Sequence, residues 1–128
     1  MRASSLTALL ALAGCAAGVP LGFVAGQATS SMRVQMLFEK VVTDIPQPTR
    51  VRVHDDRWGP GAETSTHDHP GPVILAVLEG ELVEDSSSGQ NSLRAGEVHW
   101  RSARRIHNVK NVSGQPARVL AIHFDPAP

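Results

Sequence analysis

The stretch Thr66-His67-Asp68-His69-Pro70-Gly71 places two histidines one residue apart, directly before a proline and glycine that favour a turn. Side chains at positions i and i+2 of a β-strand point to the same face. His67 and His69 would therefore present two imidazoles side by side to one pocket. This pattern predicts half of a metal site, and a third ligand must come from elsewhere in the chain.

The sequence around this pair has the pattern of a β protein. Val73-Ile74-Leu75-Ala76-Val77-Leu78 is continuously apolar, which is typical of a strand covered on both faces. Turn residues separate short apolar or alternating segments, with Ser86 to Gln90 predicted as a hairpin tip. The other candidate strands are Arg33 to Phe38, Val51 to His54, Glu81 to Glu84, Glu97 to Arg101, Ile106 to Val112 and Arg118 to Phe124. Short strands at this spacing predict an all-β sandwich or barrel.

Composition limits the classes of function. The chain has 128 residues, room for one domain, with 12 basic and 12 acidic residues and only a short basic group from Arg101 to Arg105. Nucleic acid binding requires a concentrated basic face, so nucleic acid is not expected as a partner. Cys15 is the single cysteine, which excludes a disulfide within the monomer.

Residues 1–28 are predicted to be an export signal or anchor, and residues 29–128 a single domain. Leu6 to Gly26 contain no charge and are mainly small and apolar. Three outcomes fit: lipidation of Cys15 in Leu12-Ala13-Gly14-Cys15, which resembles a bacterial lipobox; cleavage after Ala28; or an uncleaved membrane span. Each predicts export to the periplasm or envelope, in two cases with a membrane tether.

Gly61, His67, His69 and Gly80 have the spacing of the first motif of the cupin superfamily, which this chain resembles. Gly96, His107 and Asn111 fit the second motif; these are its glycine, histidine and asparagine. The resemblance covers Gly61 to Asn111 and implies a cupin-type antiparallel β-barrel, or jelly roll. It also implies His67, His69 and His107 as ligands of a divalent transition metal.

Two departures from the cupin pattern bear on function. The first motif places a metal-binding glutamate where this chain has Val73 or Ile74. Ser102 and Arg104 replace the proline and glycine that precede the last histidine. A site with three imidazoles still suits iron, nickel, copper, zinc or manganese. Thiol dioxygenases of the superfamily resemble it in this respect, and such a site admits an anionic substrate without repulsion from a ligand carboxylate. The alternative is a pocket that has lost its metal.

Other polar and aromatic residues are candidates for the pocket, each with a simpler structural alternative. His99 and His123 could act beside the metal as acid–base groups, or be ordinary strand residues, and His54 has a weaker case. Glu63 could replace the missing carboxylate, although a solvated loop is the simpler interpretation. Asp68 lies between two candidate ligands but is expected to be exposed. Trp58 and Trp100 are expected to pack in the core or at its rim. Arg101, Arg104 and Arg105 could receive an anion at the mouth of the pocket, although a solvated turn is the simpler interpretation.

Two functions follow from this pattern. The first is a metal-dependent oxygenase that acts on a small molecule, and the second is a non-catalytic module that binds or senses a small molecule, with or without metal. A structural role after loss of chemistry is the third alternative. Ile74, Ala76 and Leu78 could give one apolar face to a homodimer.

Overall fold

The computed structural model describes residues 32–128. The predicted signal, including Cys15 and its lipobox-like sequence, lies outside the described residues. Within the described part, no helix is long and apolar enough to cross a membrane. Val34–Pro128 form one compact unit.

Seven antiparallel strands form two sheets, and residues 32–128 contain no helix. One sheet has the order β1-β7-β2-β5 and the other β4-β3-β6. The strands are β1 Thr49–Trp58, β2 Val73–Glu79, β3 Glu81–Ser86, β4 Gly89–Arg94, β5 Val98–Arg101, β6 His107–Lys110 and β7 Ala117–Pro126. This all-β arrangement agrees with the predicted jelly roll.

Most of the predicted strands are present, with three differences. Arg33 to Phe38 form no strand, and the first strand of the described residues begins at Thr49. The segment around His67 pairs with His107 only through an isolated bridge. β4 was not predicted, because Gln90-Asn91-Ser92 are polar and resemble a loop. Its register with β3 is continuous from Glu81↔Arg94 to Ser86↔Gly89.

The hydrophobic core lies between the two sheets. β2 contributes Val73, Leu75 and Val77, all buried, while Ile74 and Ala76 are half-buried and Leu78 is exposed. The expectation that this run is covered on both faces was therefore wrong, because only alternate residues point inward. The rest of the buried apolar core comes from β3, β4, β6 and β7: Leu82, Leu93, Val109, Ala117, Val119 and Ala121.

Two glycines allow close approach of backbones near the ends of β2. A Cβ on Gly71 would lie 1.8 Å from the Phe124 carbonyl oxygen, so only glycine permits this contact with β7. Gly80 has a φ of +73°, and a Cβ there would lie 2.6 Å from the Pro116 carbonyl oxygen. The Gly71 contact brings the segment that carries His69 against β7, which carries His123.

Candidate metal centre

His67, His69 and His107 lie together in the interior between the sheets. Their candidate ligand nitrogens are all within 4.8 Å of one another. His107 is the first residue of β6, and its backbone N–H and carbonyl each form a 2.9 Å hydrogen bond with His67. The ring centroids of His67 and His69 are 4.8 Å apart, and those of His67 and His107 are 4.4 Å apart. These three residues are called the histidine cluster below.

Backbone carbonyls set the tautomer of two members of the histidine cluster. The Nδ1–H of His67 donates to the Ser65 carbonyl at 2.9 Å, and that of His107 donates to the Arg105 carbonyl at 2.7 Å. A carbonyl oxygen can only accept, so Nδ1 carries the proton and Nε2 has a free lone pair. The buried His107 Nε2 has no hydrogen-bond partner among residues 32–128. This arrangement of a fixed ring and a free nitrogen is typical of metal-ligating histidines.

Burial favours the neutral form of two imidazoles of the histidine cluster, those of His69 and His107. Burial, together with the neighbouring His123 and His67, lowers the pKa of His69 to about 4. Burial likewise lowers the pKa of His107, although its hydrogen bond to Arg105 opposes the shift. Neutral imidazole is the form that binds metal, so these shifts favour metal binding by His69 and His107.

Strand register resolves which residue stands at the position of the motif glutamate. Val73 points inward and is 1% exposed, whereas Ile74 points to the other face of β2. Val73 pairs with Arg101 on one side and with His123 on the other. His123 in turn pairs with Arg52 of β1. Paired residues share a face, so Arg101, Val73, His123 and Arg52 form one inward row across the sheet.

His123 extends the histidine cluster. Its ring centroid is 5.0 Å from that of His69 and 4.6 Å from that of His54. Its Nδ1 is buried without a hydrogen-bond partner in the described part of the chain, and burial lowers the pKa of its ring. His54 and His123 therefore both belong to the pocket. His99 instead lies 3.1 Å from the Glu97 carboxylate and does not line the cavity.

The predicted solvated arginine turn was wrong for Arg101. Its side chain is 5% exposed, and its Nε lies 2.7 Å from Oε1 of Glu84, whose side chain is 7% exposed. The N–H direction misses the oxygen, so the contact is an ion pair rather than a directed hydrogen bond. Arg101 Nη2 is also buried, and no described residue accepts a hydrogen bond from it. Sequence reasoning missed Glu84, and its one signal was an acidic residue at an inward position of an alternating strand.

The other candidates are placed as follows. Glu63 is exposed and lies 3.7 Å from Lys110, so it is a loop residue as the simpler interpretation held. Asp68 is exposed, as expected, and lies 3.7 Å from Arg104. Trp58 packs against the core and lines the cavity, whereas Trp100 packs near Phe124 with ring centroids 6.3 Å apart.

A cavity of about 310 Å³ joins these groups. It is lined by the histidine cluster, His123 and Arg101, together with core residues such as Leu75 and Leu82. This volume is at the lower end for small-molecule pockets. A mainly apolar cavity with a few convergent polar groups is the usual form of a binding site for a small ligand.

Fold and site together define an all-β protein with a histidine-lined interior pocket. The model of the cupin domain family matches residues 56–123, more than half of the chain. The chain therefore belongs to the cupin superfamily. A search of curated proteins found no match.

Solved cupin structures resemble this chain. A cupin domain from Bordetella pertussis Tohama I is 28% identical, with a TM-score of 0.52 over 59% of this chain and 82% of that one. A cupin superfamily protein from Desulfitobacterium hafniense DCB-2 is 16% identical, with a TM-score of 0.55 over 73% of this chain and 99% of that one. A predicted oxalate decarboxylase from Thermotoga maritima is 23% identical, with a TM-score of 0.53 over 59% of this chain and 66% of that one. At these identities, the last two support the fold alone.

Proposed function

We propose that this protein is an exported cupin that binds one divalent transition metal through His67, His69 and His107 and acts as an oxygenase on a small molecule. The observation that carries this proposal is the convergence of three imidazoles with ligand atoms within 4.8 Å of one another. The metal would be iron, nickel, copper, zinc or manganese, because imidazole ligands suit each of them.

The donor set fits a metal. His67 and His107 each direct Nδ1–H to a backbone carbonyl and leave Nε2 free, and the buried Nε2 of His107 has no partner within the described protein. A buried imidazole nitrogen without a partner is costly unless water, a ligand or a metal satisfies it. A metal held by three protein ligands has open positions, so it would polarise a bound small molecule and, if redox-active, activate dioxygen.

Metal analysis tests the proposal. Protein purified without an affinity tag is expected to contain about one transition metal per chain, as for a single three-ligand site. The double substitution His67→Ala/His107→Ala should abolish binding. His99→Ala is the matched control, because His99 points inward but bonds to Glu97 and lies outside the cluster. Native protein that is free of metal and cannot be loaded with one would refute the metal site.

Oxygen consumption tests the catalytic part. With the metal in place, we expect oxygen uptake with at least one member of a panel of thiols, diketones and phenolic acids. The His67→Ala/His107→Ala protein should show none. Metal binding without turnover of any of these compounds would favour the second candidate function, a module that binds or senses a small molecule. Val73 at the glutamate position is the observation that favours this second function.

Export rests on the apolar segment Leu6 to Gly26. The mass of the mature N-terminus distinguishes its three forms. An acylated Cys15 supports a lipid anchor, a start at Thr29 supports cleavage, and an intact Met1 supports a retained tether.

A homodimer is part of the proposal. Ile74 and Ala76 share the outer face of β2, and Leu78 at its end is 44% exposed. On the edge strand β1 of the same sheet, Val53 is 58% exposed and pairs with Ile122. Exposed apolar residues grouped on one sheet face are typical of an interface. Sedimentation should give a dimer that Val53→Lys weakens, whereas a monomeric parent protein would remove this part of the proposal.

A further inference from the structure

We propose that the pocket binds the carboxylate of a small organic acid next to Val73, with Arg101 as its charge partner, so that the ligand supplies the carboxylate that the first cupin motif lacks here. This inference rests on the proposed metal site and names the class of ligand that the site accepts.

The register places the carboxylate position between two polar groups. Val73 lies between Arg101 and His123 in the inward row. Neighbouring strands are about 4.8 Å apart, so the backbones of Arg101 and His123 are about 10 Å apart. A glutamate at position 73 would extend between them into the cavity. Valine has no polar atom and is shorter, so both neighbours lack the partner that a glutamate would provide.

Both neighbours have a buried polar atom that is left without a hydrogen bond by residues 32–128. Arg101 Nη2 and His123 Nδ1 have no hydrogen-bond partner in the described structure, and both residues line the cavity. Arg101 is 5% exposed and His123 is 6% exposed. The Glu84 carboxylate contacts the Nε side of Arg101 and leaves Nη2 for another acceptor. A guanidinium binds carboxylates well because its N–H groups match two oxygens.

Charge favours an anion over a neutral ligand. Imidazole ligands bring no negative charge, so His67, His69 and His107 would leave the charge of a divalent ion uncompensated. A buried charge is strongly disfavoured unless an opposite charge accompanies it. A ligand carboxylate provides that charge next to the metal and next to Arg101. The cavity of about 310 Å³ limits the ligand to a small acid.

Calorimetric titration of the full-chain protein loaded with redox-inert Ni²⁺ tests this inference. Propionate is the probe, and propionamide is its uncharged control of the same shape. Propionate should bind about tenfold or more tightly than propionamide, as expected for a charge-assisted contact. Equal affinity for the two probes would overturn the inference.

Substitutions at position 73 locate the contact. Val73→Glu fills the carboxylate position, so it should weaken propionate binding by about tenfold or more while Ni²⁺ affinity rises. Val73→Gln has the same size without the charge, and it should weaken propionate binding without raising Ni²⁺ affinity. Val73→Ala keeps the space and should bind propionate as the parent protein does. Unchanged propionate binding in Val73→Glu contradicts the proposed position.

A paired substitution isolates the role of Arg101. Arg101→Met/Glu84→Leu removes both members of the ion pair, so no unpaired charge remains buried. We expect unchanged Ni²⁺ stoichiometry and propionate binding weakened by about tenfold or more. Propionate binding as tight as in the parent protein would exclude Arg101 as the anion partner. If this variant does not fold, the Val73→Glu, Val73→Gln and Val73→Ala variants alone test the proposed carboxylate site.

Failure of the proposed metal site gives a different result. If the parent protein binds no Ni²⁺, the metal site fails, and the same propionate titration is made on the metal-free protein. Binding that depends on Arg101 then supports the carboxylate site alone, and no binding rejects it. If Ni²⁺ binds but propionate does not, only the present inference fails.

Discussion

Arg101 of β5 and Glu84 of β3 form an ion pair across the interior, with side chains only 5% and 7% exposed. The two strands belong to different sheets, so this contact links the sheets beside the histidine cluster. Burial lowers the pKa of the Arg101 guanidinium, and Glu84 opposes the shift, so the carboxylate offsets part of the cost of burying the charge. Each charge is stable in this position only while the other is present.

Removal of one member of this ion pair is expected to destabilise the fold strongly. Arg101→Met leaves a buried carboxylate without a partner, which costs about 3–5 kcal/mol in the free energy of unfolding. The double variant Arg101→Met/Glu84→Leu should lose much less, because it buries no lone charge. Urea denaturation of the parent, single and double variants measures this difference. A single variant as stable as the double would show that the pair is not coupled.

Asn111, the asparagine of the second motif, is expected to stabilise the loops at one end of the sheets. It is 1% exposed, and its Nδ2 group donates to the carbonyls of Trp58, Gly59 and Gln115 at 3.2, 3.1 and 2.7 Å. Asn111→Asp keeps the shape but replaces the donor with a buried carboxylate, so we expect a loss of about 2–5 kcal/mol in stability. Thermal unfolding of the parent protein and the Asn111→Asp variant measures this loss of stability.

The control for Asn111 is Ser113→Ala. Ser113 is exposed and donates to the Asn111 Oδ1 at 2.8 Å, so its removal weakens the same network without burying a charge. It should cost about 1 kcal/mol or less. If Asn111→Asp loses no more than Ser113→Ala, then the network does not stabilise these loops.

Strands with a clear order of polar and apolar residues could be predicted from the sequence. Alternation was visible in Glu81 to Glu84 of β3, where one face is buried, and in Val51 to His54 of β1, where Arg52 and His54 line the cavity although the strand has no buried face. β4 was not visible, since Leu93 is its only buried residue and pairing with β3 determines its conformation. Arg33 to Phe38 has the alternation but forms no ladder in the described structure.

Long-range contacts of the site had no local signal. His107 was assigned to the cluster through resemblance to the cupin motifs. His123 joins the pocket only because β7 pairs with β2 in the register that places it opposite Val73. Arg101 and Glu84 are 17 positions apart and lie on different sheets, so neither residue type nor spacing indicated a buried pair. These contacts depend on how strands are arranged across the cavity.

Arg104 occupies the place of the motif glycine and is expected to be strained. Its φ of 59° lies in the left-handed region, and its N–H donates to the His69 carbonyl at 2.8 Å. Arg104→Gly keeps this hydrogen bond and relieves the strain, so it should stabilise the protein by about 1 kcal/mol. Arg104→Ala is the control, since it also removes the weak contact with Asp68 but keeps a Cβ. Equal stability of the two variants would argue against strain.

The metal-free protein is expected to lose stability as pH falls from about 6.5, the ordinary pKa of histidine. Burial lowers the pKa of His69 to about 4, and it also lowers the pKa values of His107 and His123. In this window the unfolded chain takes up protons that the folded protein does not, so acid favours unfolding. More than about one pH unit above 6.5, both states are neutral at these positions and the contribution is constant. Each imidazole contributes at most about 1.4 kcal/mol per pH unit.

Urea denaturation at about pH 7.5, 6.5, 5.5 and 5.0, in the presence of a chelator, measures how the free energy of unfolding changes with pH. His69→Gln should reduce the slope, because it removes the imidazole whose pKa burial lowers to about 4. His99→Gln is the control, since that ring is outside the cluster and bonds to Glu97, and it should leave most of the slope. Stability that is constant across this pH range would mean that these imidazoles have the same pKa values in the folded protein as in the unfolded chain.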